Sequence, residues 1–179
     1  KGFERTWGLH GGMYKITFLT IIKKENSAVN AVYYPVSIKD LNKTDKRESG
    51  YCRVKVEGKD LSFYGKKIKT KNKNFWVYAA NPGKIKKPNN SHPIVQSYVD
   101  LFIGGCFQIK ERYKINEFPK QCVETTTEWS KHWVNDRVHA RRPFLVPNFY
   151  KIDNLLSNFF DYYLDCLLYT SDAADESVR

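Results

Sequence analysis

Hydrophobic and polar residues alternate at period two through the first half of the chain and switch to period 3.6 near residue 91. Met13 to Ile22 sets Tyr14, Ile16 and Phe18 against Lys15 and Thr17, which predicts a strand. Ala28 to Ser37 is β-branched and aromatic as far as Pro35 and predicts a second strand. The polar Lys23 to Ser27 between them predicts a hairpin. Ile38 to Lys46 reads as a short polar helix or turn with Ile38 and Leu41 facing inward. Tyr51 to Glu57 predicts a third strand closed by Gly58, followed by short arms at Leu61 to Tyr64 and Lys66 to Thr70. Asn74 to Ala80 predicts a buried strand that stops at the turn signal Asn81-Pro82-Gly83.

Lys84 to Asn90 is a Pro/Asn/Lys linker, and Ser91 with Pro93 supplies helix-start chemistry. Ile94, Val95, Tyr98, Leu101, Phe102, Ile109 and Tyr113 then form one apolar stripe. Gly104-Gly105 interrupts it at about 1 kcal/mol per glycine against alanine, which predicts close backbone packing there. Asn116 to Thr127 predicts a second helix containing Phe118 and Val123. Ile152, Leu155, Leu156, Phe159, Phe160 and Tyr163 predict a third at i, i+3, i+4 spacing. Strands followed by helices define the α+β class.

With 179 residues, 41% hydrophobic and 15% aromatic, the chain is long enough for a core without staples. No apolar run approaches the roughly 18 residues of a membrane span, so no membrane partner is expected. The formal charge of +11 suggests nucleic acid at first sight. The lysines are scattered, however, often beside Asn as in Lys66 to Asn74, where lysine also protects a strand edge. That pattern argues against a nucleic-acid partner.

Cys52, Cys106, Cys122 and Cys166 show no metal-ligand spacing and no CxxC. Free thiols in a reducing, cytoplasmic compartment are the simplest account, with Cys106 and Cys122 buried and inert on helix faces. The chain opens Lys1-Gly2-Phe3 and its one methionine is Met13, which reads as a piece of a longer frame. Residues 166–179 read as a non-native tail, since Cys166 to Glu176 resembles a translated sequencing adaptor. Ser171 to Arg179 carries three acids and one base, is set aside from functional reasoning, and holds no lysine.

The segment with most chemical content is Asp45-Lys46-Arg47-Glu48-Ser49-Gly50-Tyr51-Cys52-Arg53-Val54-Lys55-Val56. Charges, then a Gly-Tyr step, then an alternating strand can hold a carboxylate at the rim of a sheet. Read with Asn30-Ala31-Val32-Tyr33-Tyr34-Pro35-Val36-Ser37 and Leu41 before it and Phe75-Trp76-Val77-Tyr78 after it, this run resembles the gamma-glutamylcyclotransferase-like (AIG2-like) superfamily. Its pattern is a strand, a short helix, "L-D-x-x-E", Gly-Tyr and an outgoing strand. Gly2-Phe3-Glu4-Arg5-Thr6-Trp7 matches a "G-x-x-R-x-W" strand of that family. Thr44 departs from the leucine usual before the aspartate. The resemblance covers Gly2 to about Pro82; Gln96 to Asp100 and His132 to Arg137 resemble a helical extension in one branch.

The resemblance implies a small mixed or antiparallel β-barrel over 1–83, first strand and glycine loop missing, with a helical extension over 84–165 packed on it. It implies a small gamma-glutamyl substrate, cyclised to 5-oxoproline with release of an amine, and no cofactor or metal. Glu48 takes the place of the general base, and Tyr51 and Tyr78 line the substrate pocket. Ring-closing geometry is worth at most about 7–11 kcal/mol. With reference pKa values near 4.3 for Glu and about 7.7 for an α-amine, the mismatch is roughly 4.6 kcal/mol, so the base calls for an environment that raises its pKa. Burial by Tyr33, Tyr51, Trp76 or Tyr78 would suit. The family also uses a Tyr-Gly-Ser loop whose backbone N–H groups bind substrate. These 179 residues contain no such loop, and Trp7 to Gly12 does not replace it, so little activity is expected of them alone.

Other constellations are weaker. Ser130, His132 and Asp136 lie too close in one segment to face one another as a triad. His132 and His139 lack the i, i+4 spacing of a zinc pair. Trp129 and Trp133 are expected to anchor the helical part on the sheet. Arg141-Arg142 is either a solvated cap or a carboxylate or phosphate ligand. The alternative function is a non-catalytic interaction or nucleic-acid-binding domain using the basic surface.

Overall fold

β1 (Phe3–Gly11) and β2 (Ile16–Lys23) form the antiparallel hairpin of the molecule, running from the Phe3–Lys23 pair to the Gly11–Ile16 pair. The computed structural model describes residues 1–65, 68–142 and 147–168. Lys15 takes a positive φ of 46° in the hairpin turn, and the Phe18 ring lies where a side chain on Gly11 would sit. The hairpin expected between Met13–Ile22 and Ala28–Ser37 is therefore corrected. β2 pairs with the preceding strand, and residues 28–37 belong to no strand. On the other edge, Arg5 and Thr6 of β1 pair in parallel with β6 (Thr126–Thr127). Residues 28–37 are instead held through Asn30, whose Nδ2 donates to Phe118 O at 3.1 Å and whose backbone carbonyl accepts from Arg5, and through Tyr33, which packs on Phe63 and Phe75.

α1 (Ile38–Arg47) is capped by Ser37, whose hydroxyl oxygen accepts from Asp40 N at 3.1 Å. The inward face expected from Ile38 and Leu41 is not formed. Ile38 is 80% exposed, Leu41 is half-buried, and no residue of α1 is buried. The helix is held by polar contacts from Asp45 instead. Glu48 terminates it, with its N–H on Thr44 O. β3 (Cys52–Val56) and β4 (Phe75–Ala79) form an antiparallel pair from Cys52–Ala79 to Val56–Phe75. Lys66 and Lys67, at the start of the arm expected over Lys66 to Thr70, lie outside the described residues.

β5 (Ile94–Val95) precedes α2 (Gln96–Tyr113), five residues after the expected start at Ser91. The backbone at 94–95 goes into a parallel pairing with β7 (Trp133–Val134). Asn89 Oδ1 takes the N–H groups of Ser91 and His92. The first turn of α2 is served from a distance: Ser97 N donates to Asp136 Oδ1 at 2.7 Å. A Cβ at Gly105 would meet nothing within 4 Å, so close packing does not explain that glycine.

α3 (Phe118–Glu124) is shorter than the expected 116–127, and α4 (Tyr150–Ser157) covers the start of the last apolar stripe, with helical residues again at 163–168. Cys106 of α2 and Cys122 of α3 are joined in a disulfide, which corrects the expectation of free thiols there. The two helices pack so that the Cα atoms are 6.8 Å apart. Cys52 is in no disulfide, and Cys166 Sγ donates to Lys131 O at 3.7 Å.

The core is shared between the two halves. Trp7 of β1 is fully buried with Ile94, Val99, Ile103, Phe118, Trp133, Ile152 and Leu156. Trp129 bridges them, with ring centroids 5.4 Å from both Trp7 and Trp133. Two further bonds join the small sheets around β2: Ala80 N to Ile21 O at 2.8 Å and Thr17 N to Pro93 O at 2.9 Å. The class is α+β, with one three-stranded and two two-stranded sheets among the described residues. No helix among the described residues is long and apolar enough to cross a membrane.

Candidate functional site

The turn from α1 into β3 places Glu48 and Tyr51 together, because Tyr51 N donates to Glu48 O at 2.8 Å. The Glu48 side chain is 27% exposed, and its Oε1 accepts from Arg47 Nε at 2.9 Å. Tyr51 leans on β2 beside Thr20. Burial first, and then the Glu48 carboxylate, push its phenol above the ordinary range, against a smaller lowering effect of the Thr20 hydroxyl.

Tyr78 belongs to a neighbouring cluster. Its hydroxyl donates to Asp45 Oδ1 at 2.6 Å, and Asp45 Oδ2 accepts from Arg53 Nη1 at 2.7 Å. The Arg53 guanidinium lies 4.7 Å over the Trp76 ring. Desolvation and the bond to Asp45 raise the Tyr78 phenol. Cross-strand pairing sets this arrangement, since Arg53 faces Tyr78 and Lys55 faces Trp76. Glu48 and Tyr51 thus meet, whereas Tyr78 is engaged by Asp45. Tyr33 lies elsewhere, edge-on to Phe63 and Phe75 at 5.9 Å.

Two concavities lie near these residues. A groove of about 710 Å³ is lined by Asn30, Tyr33, Phe63, Tyr64, Ile109 and Phe118 among others. A depression of about 230 Å³ lies between β2 and α2, lined by Arg5, Leu19, Thr20, Tyr98, Leu101 and Phe102. Glu48, Tyr51 and Tyr78 line neither. Tyr51 is nonetheless one residue from the smaller one, through Thr20, and it also raises the Tyr98 phenol, whose main cause of elevation is burial.

Arg5 and Arg142 were not singled out together by sequence. Arg5 is 8% exposed and meets only neutral acceptors: Cys122 O, Asn30 and the hydroxyls of Thr125 and Thr126. Burial lowers it to about 10. A basic residue in an alternating strand, at the inward register of Trp7, is the signal that could have marked it.

Ser130, His132 and Asp136 do not converge. His132 Nδ1 contacts Asn90 Oδ1 at 2.6 Å, and Asp136 holds Ser97 and Arg141 N. No group of three His, Cys, Asp or Glu side chains suited to a metal occurs among the described residues. No family model, no curated protein and no solved structure matches the chain.

Proposed function

We propose that this protein is a gamma-glutamylcyclotransferase-like enzyme that cyclises a small gamma-glutamyl amide to 5-oxoproline and releases an amine, with Glu48 as general base. The observation that carries this reading is the covered Glu48 carboxylate beside Tyr51, one residue from the depression over β2. The substrate's α-amine gives a proton to Glu48 and attacks its own side-chain carbonyl. The C–N bond to the leaving amine then breaks, and that amine takes the proton. Tyr51 and, further out, Tyr78 flank the substrate. The ion pair with Arg47 opens for the base to act, since free-state geometry at such sites is often unengaged. The barrel-like arrangement of the family is supported by the bonds from Ala80 and Thr17, which tie the separate sheets to β2.

Residues 1–179 hold no Tyr-Gly-Ser run to supply backbone donors to the substrate. The test is 5-oxoproline release by the purified protein supplied with a small gamma-glutamyl amide. Glu48→Gln is expected to lower turnover by about 10²–10⁴, the range for a positioned base. Unchanged turnover in Glu48→Gln overturns the assignment.

A further inference from the structure

Side chains alternate along a strand, so the β3–β4 pair has an inner and an outer face. Val54 stands opposite Val77 and Val56 opposite Phe75, all half-buried, on the inner face. The same register sets Lys55 opposite Trp76 and Arg53 opposite Tyr78 on the outer face, where Arg53, Lys55 and Trp76 are exposed. Trp76 is 39% exposed, whereas Trp7 and Trp133 are buried and Trp129 is half-buried. The Arg53 guanidinium lies 4.7 Å from the Trp76 ring centre and steadies it by a cation–π contact. An indole open to solvent between two cations is a surface on which a planar ring can stack.

The fold gathers cations that are scattered along the chain. Residues 39–73 hold twelve Lys and Arg against five Asp and Glu, which is +7 of the chain's +11. Four of those acids are already engaged: Asp40 with Lys43, Asp45 with Arg53, Glu48 with Arg47 and, at 3.8 Å, Glu57 with Lys55. Lys46, Lys59, Lys69, Lys71 and Lys73 make no ion pair among the described residues. Lys46 lies in the last turn of α1, which Asp45 ties to the Arg53–Tyr78 end of the pair. Lys59 and the stretch from Lys69 to Lys73 meet at the other end. There Thr70 packs against Gly58, and Lys73 N donates to Thr70 O at 3.1 Å. Unpaired positive charge therefore stands at both ends of the outer face, with the open ring between. The Lys55–Glu57 pair is exposed on both sides and opens to a phosphate at little cost.

We infer that the outer face of β3–β4 binds single-stranded nucleic acid, a base stacking on Trp76 beside Arg53 and Lys55 and the phosphates lying along the cations from Lys46 to Lys59, Lys71 and Lys73. A single strand needs cations for its backbone and an aromatic surface for its bases, and this face supplies both. The charges give affinity for any polyanion, and the indole distinguishes one that carries bases. A duplex keeps its bases stacked inside and has none to offer Trp76. The site uses neither Glu48 nor Tyr51 and stands whether or not the cyclisation reading does.

The test is fluorescence anisotropy with fluorescein-labelled oligouridylate and oligothymidylate of about ten nucleotides, a length within usual single-strand site sizes. Saturable binding of either at about 50 mM salt is expected, weakening linearly in log affinity against log salt and quenching the indole emission. Inorganic polyphosphate of matched charge, which has no bases, and vesicles of phosphatidylserine are expected to compete at least about tenfold less well. Trp76→Ala is expected to weaken binding by about tenfold or more, and Trp76→Phe to recover most of it while losing the quenching. Lys71→Ala with Lys73→Ala should flatten the salt slope by about 0.7 for each lysine removed. Lys131→Ala, in the segment before β7, should leave affinity and slope unchanged. Thermal melts accompany each variant; if Trp76→Ala fails to fold, the quenching in Trp76→Phe and the slope of the lysine pair carry the comparison. Absence of saturable binding, wild-type affinity in a folded Trp76→Ala, quenching kept in Trp76→Phe, or an unchanged slope in the lysine pair overturns the inference. So does competition by polyphosphate or by the vesicles equal to that of the unlabelled oligonucleotide, since either reports a base-independent polyanion surface.

Discussion

The two flanks of α2 treat buried cations in opposite ways. On one flank, Arg137 makes a fork to Asp100, with Nε to Oδ2 at 2.7 Å and Nη2 to Oδ1 at 2.8 Å, and a second fork to Asp153 at 3.0 and 2.7 Å. Tyr163 donates to Asp153, Gln96 donates to Asp100, and Trp133 donates to Gln96, so the polar atoms of this network find partners. Burial works against the Arg137 charge, but the two carboxylates more than offset it and hold the guanidinium above its ordinary range. On the other flank, Arg5 and Arg142 have no carboxylate within reach among the described residues, and Arg142 Nε has no hydrogen-bond partner among them. A closed network leaves nothing for a ligand to do, whereas an open one has bonding capacity to offer.

The sharpest way to break this contrast is to delete each arginine. Arg137→Ala is expected to destabilise the fold by about 3–5 kcal/mol, because it strands two part-buried carboxylates. Arg142→Ala is expected to change stability by less than about 1 kcal/mol, since no protein acceptor loses a partner at its guanidinium. Equal losses in urea melts of the two variants would make Arg142 a structural residue and dissolve the comparison.

Removing the covalent link between α2 and α3 comes next in size. The Cys106–Cys122 disulfide spans 16 residues, for which chain entropy predicts about 3 kcal/mol. Melts of Cys106→Ser with Cys122→Ser, run beside the wild type, measure it; no change in midpoint would show that packing alone holds α3.

A matched tyrosine pair refines the picture further. Tyr163→Phe is expected to cost about 1–3 kcal/mol by leaving Asp153 short of a donor, and Tyr98→Phe about half of that or less. The reverse ranking would place the tighter polar network on the β2 side.

The smallest expected effect is a pH dependence. His92 stacks on the His10 ring at 4.3 Å, and desolvation, then His10, Lys86 and Lys15, lower its pKa from 6.5. The unfolded chain therefore takes up the proton first as pH falls. Stability is unaffected well above 6.5, declines as pH drops below it, and levels off below the folded-state value. Melting temperatures of wild type and His92→Gln between pH 8 and about 5 should converge at the alkaline end and diverge in acid.

Several elements were legible from local pattern. Strand signals at Ile16, Cys52 and Phe75 and the Tyr98–Ile109 stripe follow from side-chain periodicity, which is a property of neighbours in the chain. The juxtaposition of Glu48 and Tyr51 was equally local, being a turn of four residues. The hairpin partner was not, because residues 28–37 have strand-like composition yet are held by contacts of Asn30 and Tyr33 rather than by a ladder. The partner of β2 was decided by β1, which also needed β6 on its far edge. Ile38 misled for a related reason: an apolar residue at a helix start buries only if something packs over it, and nothing does.

The sequence by itself determined the α+β order, the absence of an apolar run long enough for a membrane helix, and the run from Asp45 to Val56 that places a carboxylate at a turn. Periodicity and turn chemistry act over a few residues, and so can be read without a fold. Only the tertiary structure decided that Trp7 shares a core with the helices, that Cys106 meets Cys122, and that Asp136 serves the first turn of α2. It alone separated the satisfied Arg137 from the unsatisfied Arg142. Both are arginines in one segment, five positions apart, and their difference lies entirely in which carboxylates the packing brings within reach.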